Sequence, residues 1–244
     1  ITDLTAIAAV LPDVYLTDSG DEDFSSSITR STKGACYTLL AHIHAWKGNY
    51  SLALEAVNDV VELQRYQLHS LENDLSRVFE GNTFENIFMF SSLLNFNSDF
   101  EYQDLNSDMF NDEVFFNGKL LSRIDPPSYG DVNALYNTSD ARRTKYFSIN
   151  DGAETVSYRK GNFPGVNSSF LRYSDVLLLG AEATMESDPA TAEAFLNEVR
   201  NRAMLGDVTT TGSNLTNDIW KERRVELVGE GHRFFDLVRT GRAA

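Results

Sequence analysis

The densest run of ionisable residues lies near the C-terminus. It reads Glu222-Arg223-Arg224-Val225-Glu226, then Glu230-Gly231-His232-Arg233 and Asp236. Carboxylates this close together could serve as a general acid and base. Alternating with arginines at short helical spacing, they equally form ion pairs along and between helices. Ile219, Trp220, Leu227, Val228, Phe234, Phe235 and Val238 are threaded through the same stretch as expected apolar contacts. That interleaving favours a structural role, because ion-pair networks also gather charges. The four histidines, His42, His44, His69 and His232, show no zinc-type spacing. His42 and His44 are two apart, so on a helix they do not face one another. A structural or surface role is the default for all four, and no metal site or cofactor is expected. The acidic loop Thr17–Asp23 offers oxygens to a hard cation, but it lacks the calcium-loop spacing and reads as a solvated turn. Neither a G-x-S-x-G elbow nor a phosphate-binding glycine loop is present. The paired carboxylates of a glycosidase have no fixed sequence spacing, and with 36 acidic residues to choose from any such pair is uninformative.

A second chemistry is carried by aromatic rings. Of 28 Phe, Tyr and Trp residues, seventeen fall between Phe79 and Phe170, among clusters of Asn and Asp. The stretch Asn95-Phe96-Asn97-Ser98-Asp99-Phe100-Glu101-Tyr102-Gln103-Asp104 mixes rings with amides and carboxylates. An exposed ring can cover the apolar face of a sugar, and the polar neighbours can hydrogen-bond its hydroxyls. The candidate ligand-binding residues are therefore Phe96, Asn97, Phe100, Tyr102 and Asp104, with Phe100 and Tyr102 foremost. The plain alternative is that many of these rings fill a core beneath a long loop, as most large apolar side chains do.

Helical hairpins are the elements available to position these groups. Residues 31–65 read as two helices: Ser31 or Thr32 caps the first, and Cys36, Leu39, Leu40, Ile43 and Trp46 recur at helical spacing. Gly48-Asn49 ends it in the manner of a left-handed C-terminal residue. Ala53, Ala56, Val57, Val60 and Val61 mark the apolar face of the second. Residues 171–204 repeat the plan. Leu171 to Met185 predicts an apolar helix buried on several sides, Asp188 caps the next with Pro189 in its first turn, and Ala192, Phe195, Leu196, Val199 and Ala203 mark its face. Ala41 and Ala53 are twelve apart, as are Gly180 and Ala192. Small residues in this register let helices approach closely, as in a tetratricopeptide-type repeat. Between the hairpins, residues 66–170 keep no helical period. A strand is expected over Asn86–Phe90, a short helix over Tyr129–Tyr136 and an extended piece over Tyr158–Phe163. Residues 215–240 are helical, divided by Gly229 and Gly231. The fold class is mainly α, with tetratricopeptide-like helical hairpins, a loop-rich excursion and few short strands, within one domain over 1–244.

Composition sets outer bounds. The chain has 244 residues, 42% hydrophobic and 23% charged, ordinary for a globular protein. A formal net charge of −15 repels phosphate backbones, so no nucleic-acid partner is expected. No run approaches the roughly 18 apolar residues of a spanning helix. The single cysteine, Cys36, allows no internal disulfide and reads as a small buried hydrophobe. Ile1 follows no Met and the sequence stops abruptly after a helical segment, which reads as a fragment or processed form.

Several blocks together resemble the SusD/RagB family, the glycan-binding outer-membrane lipoproteins of Bacteroidetes. The C-terminal run from Glu222 through Glu230-Gly231-His232-Arg233-Phe234-Phe235-Asp236 to Arg239 is similar to that family's closing motif. Arg30 to Tyr50 resembles its internal hairpin, and Tyr136 to Arg143 one of its landmarks. Leu171-Arg172-Tyr173-Ser174-Asp175-Val176, with Leu196 to Ala203, resembles its later helix pair. The resemblance implies ligand contacts in the variable middle region and a structural role for the closing motif. It also implies a longer intact chain, held at the cell surface by a lipidated cysteine that Cys36 is not, and partnership with a SusC-type TonB-dependent transporter. Three functions stay open: non-catalytic capture of an oligosaccharide for that transporter, a helical scaffold that grips another protein without sugar, and, least favoured, a hydrolase.

Overall fold

The computed structural model describes residues 1–70, 77–78, 83–90, 129–152, 155–158, 168–209, 213–228 and 230–243. The described residues are predominantly helical. Two short helices, α1 (Thr2–Ala8) and α2 (Phe24–Thr29), lead into the first hairpin of α3 (Lys33–Trp46) and α4 (Tyr50–Glu62). Strand β1 (Asn86–Phe90) follows, then α5 (Tyr129–Leu135), α6 (Arg142–Lys145), β2 (Phe147–Asn150), β3 (Thr155–Tyr158) and β4 (Ser168–Arg172). The second hairpin is α7 (Tyr173–Thr184) and α8 (Pro189–Arg202), and α9 (Ser213–Glu226) and α10 (His232–Arg239) close the order. Strand β1 pairs antiparallel with β4, and β2 with β3.

The hairpins follow from local chemistry. Thr32 accepts a hydrogen bond from the Ala35 amide and caps α3. At its other end Gly48 takes φ +71°, its amide donating to the Ala45 carbonyl while Asn49 donates to that of His44. This double closure uses the left-handed region open to glycine. Asp188 caps α8 by accepting from the Thr191 amide, with Pro189 in the first turn.

Helix α7 is the centre of the molecule: every residue from Tyr173 to Thr184 is buried, and it packs against α3, α4, α8 and α9. Burying Leu177, Leu178 and Leu179 contributes roughly 1.5–3 kcal/mol each. Gly180 is what lets its neighbours in. A Cβ there would lie 3.0 Å from Val57 Cγ1 of α4 and 3.1 Å from the Phe195 ring of α8. Ala41, Ala53 and Ala192 have no exposed surface, so all four small residues mark helix contacts. A second, smaller core joins Val132, Tyr136, Tyr146 and Phe147 to Ala203, Val225 and Val228.

Two expectations need correction. Leu171 and Arg172 are strand, not the start of the helix: both residues pair with β1, a long-range contact that the local sequence does not report. Trp46, Phe234 and Phe235 are 49, 54 and 58% exposed rather than packed inside.

Candidate functional site

Phe96, Asn97, Phe100, Tyr102 and Asp104 lie outside the described residues. The structure does show what holds the two sides of that segment. On the upstream side, Asn86 accepts from the Thr83 hydroxyl at 3.0 Å and donates to the Val78 carbonyl at 2.6 Å, while β1 is zipped to β4. On the downstream side, the Tyr136 hydroxyl donates to the Val225 carbonyl at 2.7 Å. Three rings of the aromatic-rich region, Tyr136, Tyr146 and Phe147, are buried, whereas Phe84 and Phe170 are about half exposed. The region therefore divides between core filling and surface.

Both sides converge on one carboxylate. Glu226, at the end of α9, accepts from Arg172 at 2.6 Å, from Arg142 at 3.0 Å, from the Tyr146 hydroxyl at 3.2 Å and from Arg202. Arg172 also bonds Glu85 at 2.7 Å, forks onto Glu230 at 2.6 and 2.9 Å, and reaches the Glu226 carbonyl at 2.8 Å. Arg142 grips Asp140 through two nitrogens, at 2.8 and 2.9 Å, and Glu222 at 2.5 Å. Burial opposes the charge on Arg142, but Glu222, Asp140 and Glu226 hold it well above the ordinary guanidinium range. Burial and then the Glu226 carboxylate push the Tyr146 phenol up, so it remains a donor. Arg142, Arg172, Glu85, Glu222 and Glu226 are buried, and their ion pairs, with those of Arg202, hold β1, β4, α6, α8 and α9 together. Among the described residues these charges face one another, the arrangement of a structural ion-pair network.

A second cluster ties down α10. Arg223 of α9 bonds Asp236 at 3.1 and 3.2 Å and lies 2.9 Å from Asp175 Oδ1, where the angle is that of an ion pair rather than a hydrogen bond. Arg239 bonds Asp236 at 2.6 Å and Glu182 at 2.8 Å, and Glu182 accepts from the Tyr50 hydroxyl at 3.2 Å. Burial works against the charge on Asp236, but Arg223 and Arg239 overcome it and hold its carboxyl down at about 2. Asp175 is fully buried, and its Oδ2 lies 2.6 Å from His42 Nε2. The His42 ring stacks against His232, with centroids 5.8 Å apart. Burial sets against the charge on Asp175 too, but His42, His232 and Arg223 hold it well below the carboxylate range. Burial lowers His232, with Asp175 opposing and His42 and Arg223 adding to the shift.

Sequence reasoning missed the meeting of His42, Asp175 and His232. The fold brings α3, α7 and α10 together, and no local spacing signals that.

This arrangement of helices has counterparts. The SusD family model matches residues 76–244 of the chain. The chain belongs to the SusD family. SusD-like protein P38 of Formosa agariphila is 33% identical over 115 residues, which are 43% of this chain and 21% of that protein. A SusD homologue from Bacteroides thetaiotaomicron superposes with a TM-score of 0.69 at 27% identity, covering 99% of this chain and 57% of its own. Surface glycan-binding protein A from Bacteroides uniformis shares the fold at TM-score 0.68 and 20% identity, covering all of this chain and 56% of its own. The chain therefore spans a little over half the length of these solved SusD-family proteins, and a smaller share of the curated relative.

Proposed function

We propose that this chain is the greater part of the helical scaffold of a non-catalytic surface protein. That protein binds an oligosaccharide and hands it to a TonB-dependent transporter of the SusC type. Membership of the SusD family is the observation that carries the reading, and the name of the Bacteroides uniformis relative supports its glycan half. The same reading places the intact protein at the outer membrane, held by a lipid anchor, and treats residues 1–244 as one domain. Capture falls to the ring-rich segment bearing Phe96, Asn97, Phe100, Tyr102 and Asp104. Its rings cover sugar faces and its polar groups bond the hydroxyls. Modest affinity then allows release. The absence of catalysis is supported by the fate of the closing motif: Glu222, Glu226 and Asp236 are buried in arginine pairs rather than aimed into an opening.

The test is retardation of the full-length protein in gels containing polysaccharides, with calorimetry on oligosaccharides and a reducing-end assay on the same mixtures. Binding without product is expected, weakened at least tenfold when Phe100 and Tyr102 become Ala. A broad panel with no binder, or steady turnover, would overturn it.

The scaffold alternative is favoured by one observation. Trp46 packs edge-on against Phe235 at 6.2 Å, and Phe235 against Phe234 at 5.6 Å, as an exposed aromatic cluster where α3 meets α10. If Phe235→Ser abolishes transporter association while the double ring variant leaves all binding intact, docking rather than sugar capture is the function.

A further inference from the structure

We propose that His42, Asp175 and His232 form a binding site for one divalent transition-metal ion of the zinc class, which fastens α3, α7 and α10 together. The proposal goes beyond the glycan reading and does not rest on it. Each of the three residues offers one ligand atom, and these atoms all lie within 4.8 Å of one another. A four-coordinate ion with bonds of about 2.0–2.2 Å needs donors about 3.3 Å apart. The 2.6 Å contact between His42 Nε2 and Asp175 Oδ2 must open slightly and the longest separation must close, both by side-chain rotation.

The donor set decides the type of ion. Two imidazoles and one carboxylate suit Zn2+, Co2+, Ni2+ or Cu2+, whereas Ca2+ and Mg2+ call for oxygens alone. In the described structure His42 Nε2 and Asp175 Oδ2 lie 2.6 Å apart, at hydrogen-bond distance. The ion takes the place between them: His42 ligates as the neutral ring, with Nε2 bare and its one proton on Nδ1, and any second ring proton passes to solvent.

The surroundings fit as well. Arg223 lies against the other carboxylate oxygen of Asp175 at 2.9 Å, an orienting partner of the kind that ligating carboxylates have. The cost of its positive charge beside the ion is offset by Asp236, which binds the same guanidinium. The His42 side chain is 24% exposed, so an ion can reach the site from solvent and water can fill the remaining coordination position.

The test uses the 244-residue chain, stripped with chelator and titrated with Zn2+ and with Co2+. One equivalent of metal is expected to bind and to raise the thermal midpoint, as any ligand selective for the folded state does. Co2+ is expected to give visible ligand-field bands. His42→Ala and His232→Ala should each weaken binding by more than the roughly 10–100-fold that losing an outer-shell partner costs, and His69→Ala should not. In the unaltered chain, Co2+ should shift the ring-proton NMR signals of two histidines, which keeps the test independent of how the variants fold. No stoichiometric uptake, uptake that both variants retain, or shifts at a different pair of histidines would each overturn the proposal.

Discussion

The two charge clusters are made from the same short C-terminal run, yet they sit in opposite environments. The one centred on Glu226 is sealed: Arg142, Arg172 and Glu226 are all but inaccessible, and each polar arm ends on a partner. The one centred on Asp175 and Asp236 begins in the interior but runs outward through His42 and His232 to the surface. Residue type alone does not distinguish them. In the first, low dielectric makes every pair strong and every missing partner expensive. In the second, one edge is wet, so its groups can still take up a ligand.

The largest expected effect is at Glu226. Glu226→Gln keeps the shape but removes the charge that Arg142, Arg172 and Arg202 share. Because it strands buried cations, urea unfolding should show a loss of about 3–5 kcal/mol. An effect under about 1 kcal/mol would erase the distinction between the clusters.

Asp236 comes next. Its folded value of about 2 lies below the ordinary 3.8, so the unfolded chain binds the proton more readily. The resulting stability, about 2 kcal/mol, is complete above the ordinary carboxylate range and is lost as pH falls from about 4 through 2. Asp236→Asn should lower stability by a similar amount near neutral pH and flatten the acid limb of the curve. An unchanged acid limb would place the acid sensitivity elsewhere.

The smallest effect is at Tyr50, whose hydroxyl donates to Glu182 at 3.2 Å near the margin of the second cluster. Tyr50→Phe should cost about 1 kcal/mol, read from the same denaturation curves. A loss as large as that at Glu226 would show the margin to be as tightly coupled as the centre.

What the sequence made legible was local. Thr32, Gly48 and Asp188-Pro189 act within a few residues of themselves, so their caps were readable, and Asn86–Phe90 is a strand as its β-favouring run suggested. The twelve-residue register of small side chains predicted close helix approach, and Gly180 shows it. The β4–α7 boundary was not legible, because what separates strand from helix there is pairing of Leu171 and Arg172 with β1, which is distant in sequence. Exposure of Trp46, Phe234 and Phe235 depends on which side of α3 and α10 is left uncovered. The histidine cluster was hidden for a simpler reason: His42 and Asp175 are 133 residues apart in sequence, and only the packing of three helices makes them neighbours. The chosen sugar-binding residues fall outside the described segments, and their part in binding rests on the proposed experiments.

The convergence on Glu226 also orders events during synthesis. A ribosome adds Arg142, Arg172 and Arg202 to the chain before it makes the carboxylate they share. Until then the nascent chain can form its hairpins, but it carries three guanidiniums with no common anchor. A product terminated before α9 would keep Glu85 beside Arg172 and Arg202 and Asp140 beside Arg142, but would lack the one carboxylate that joins all three. Synthesis of α9 thus joins into one cluster three arginines that earlier parts of the chain hold in separate groups.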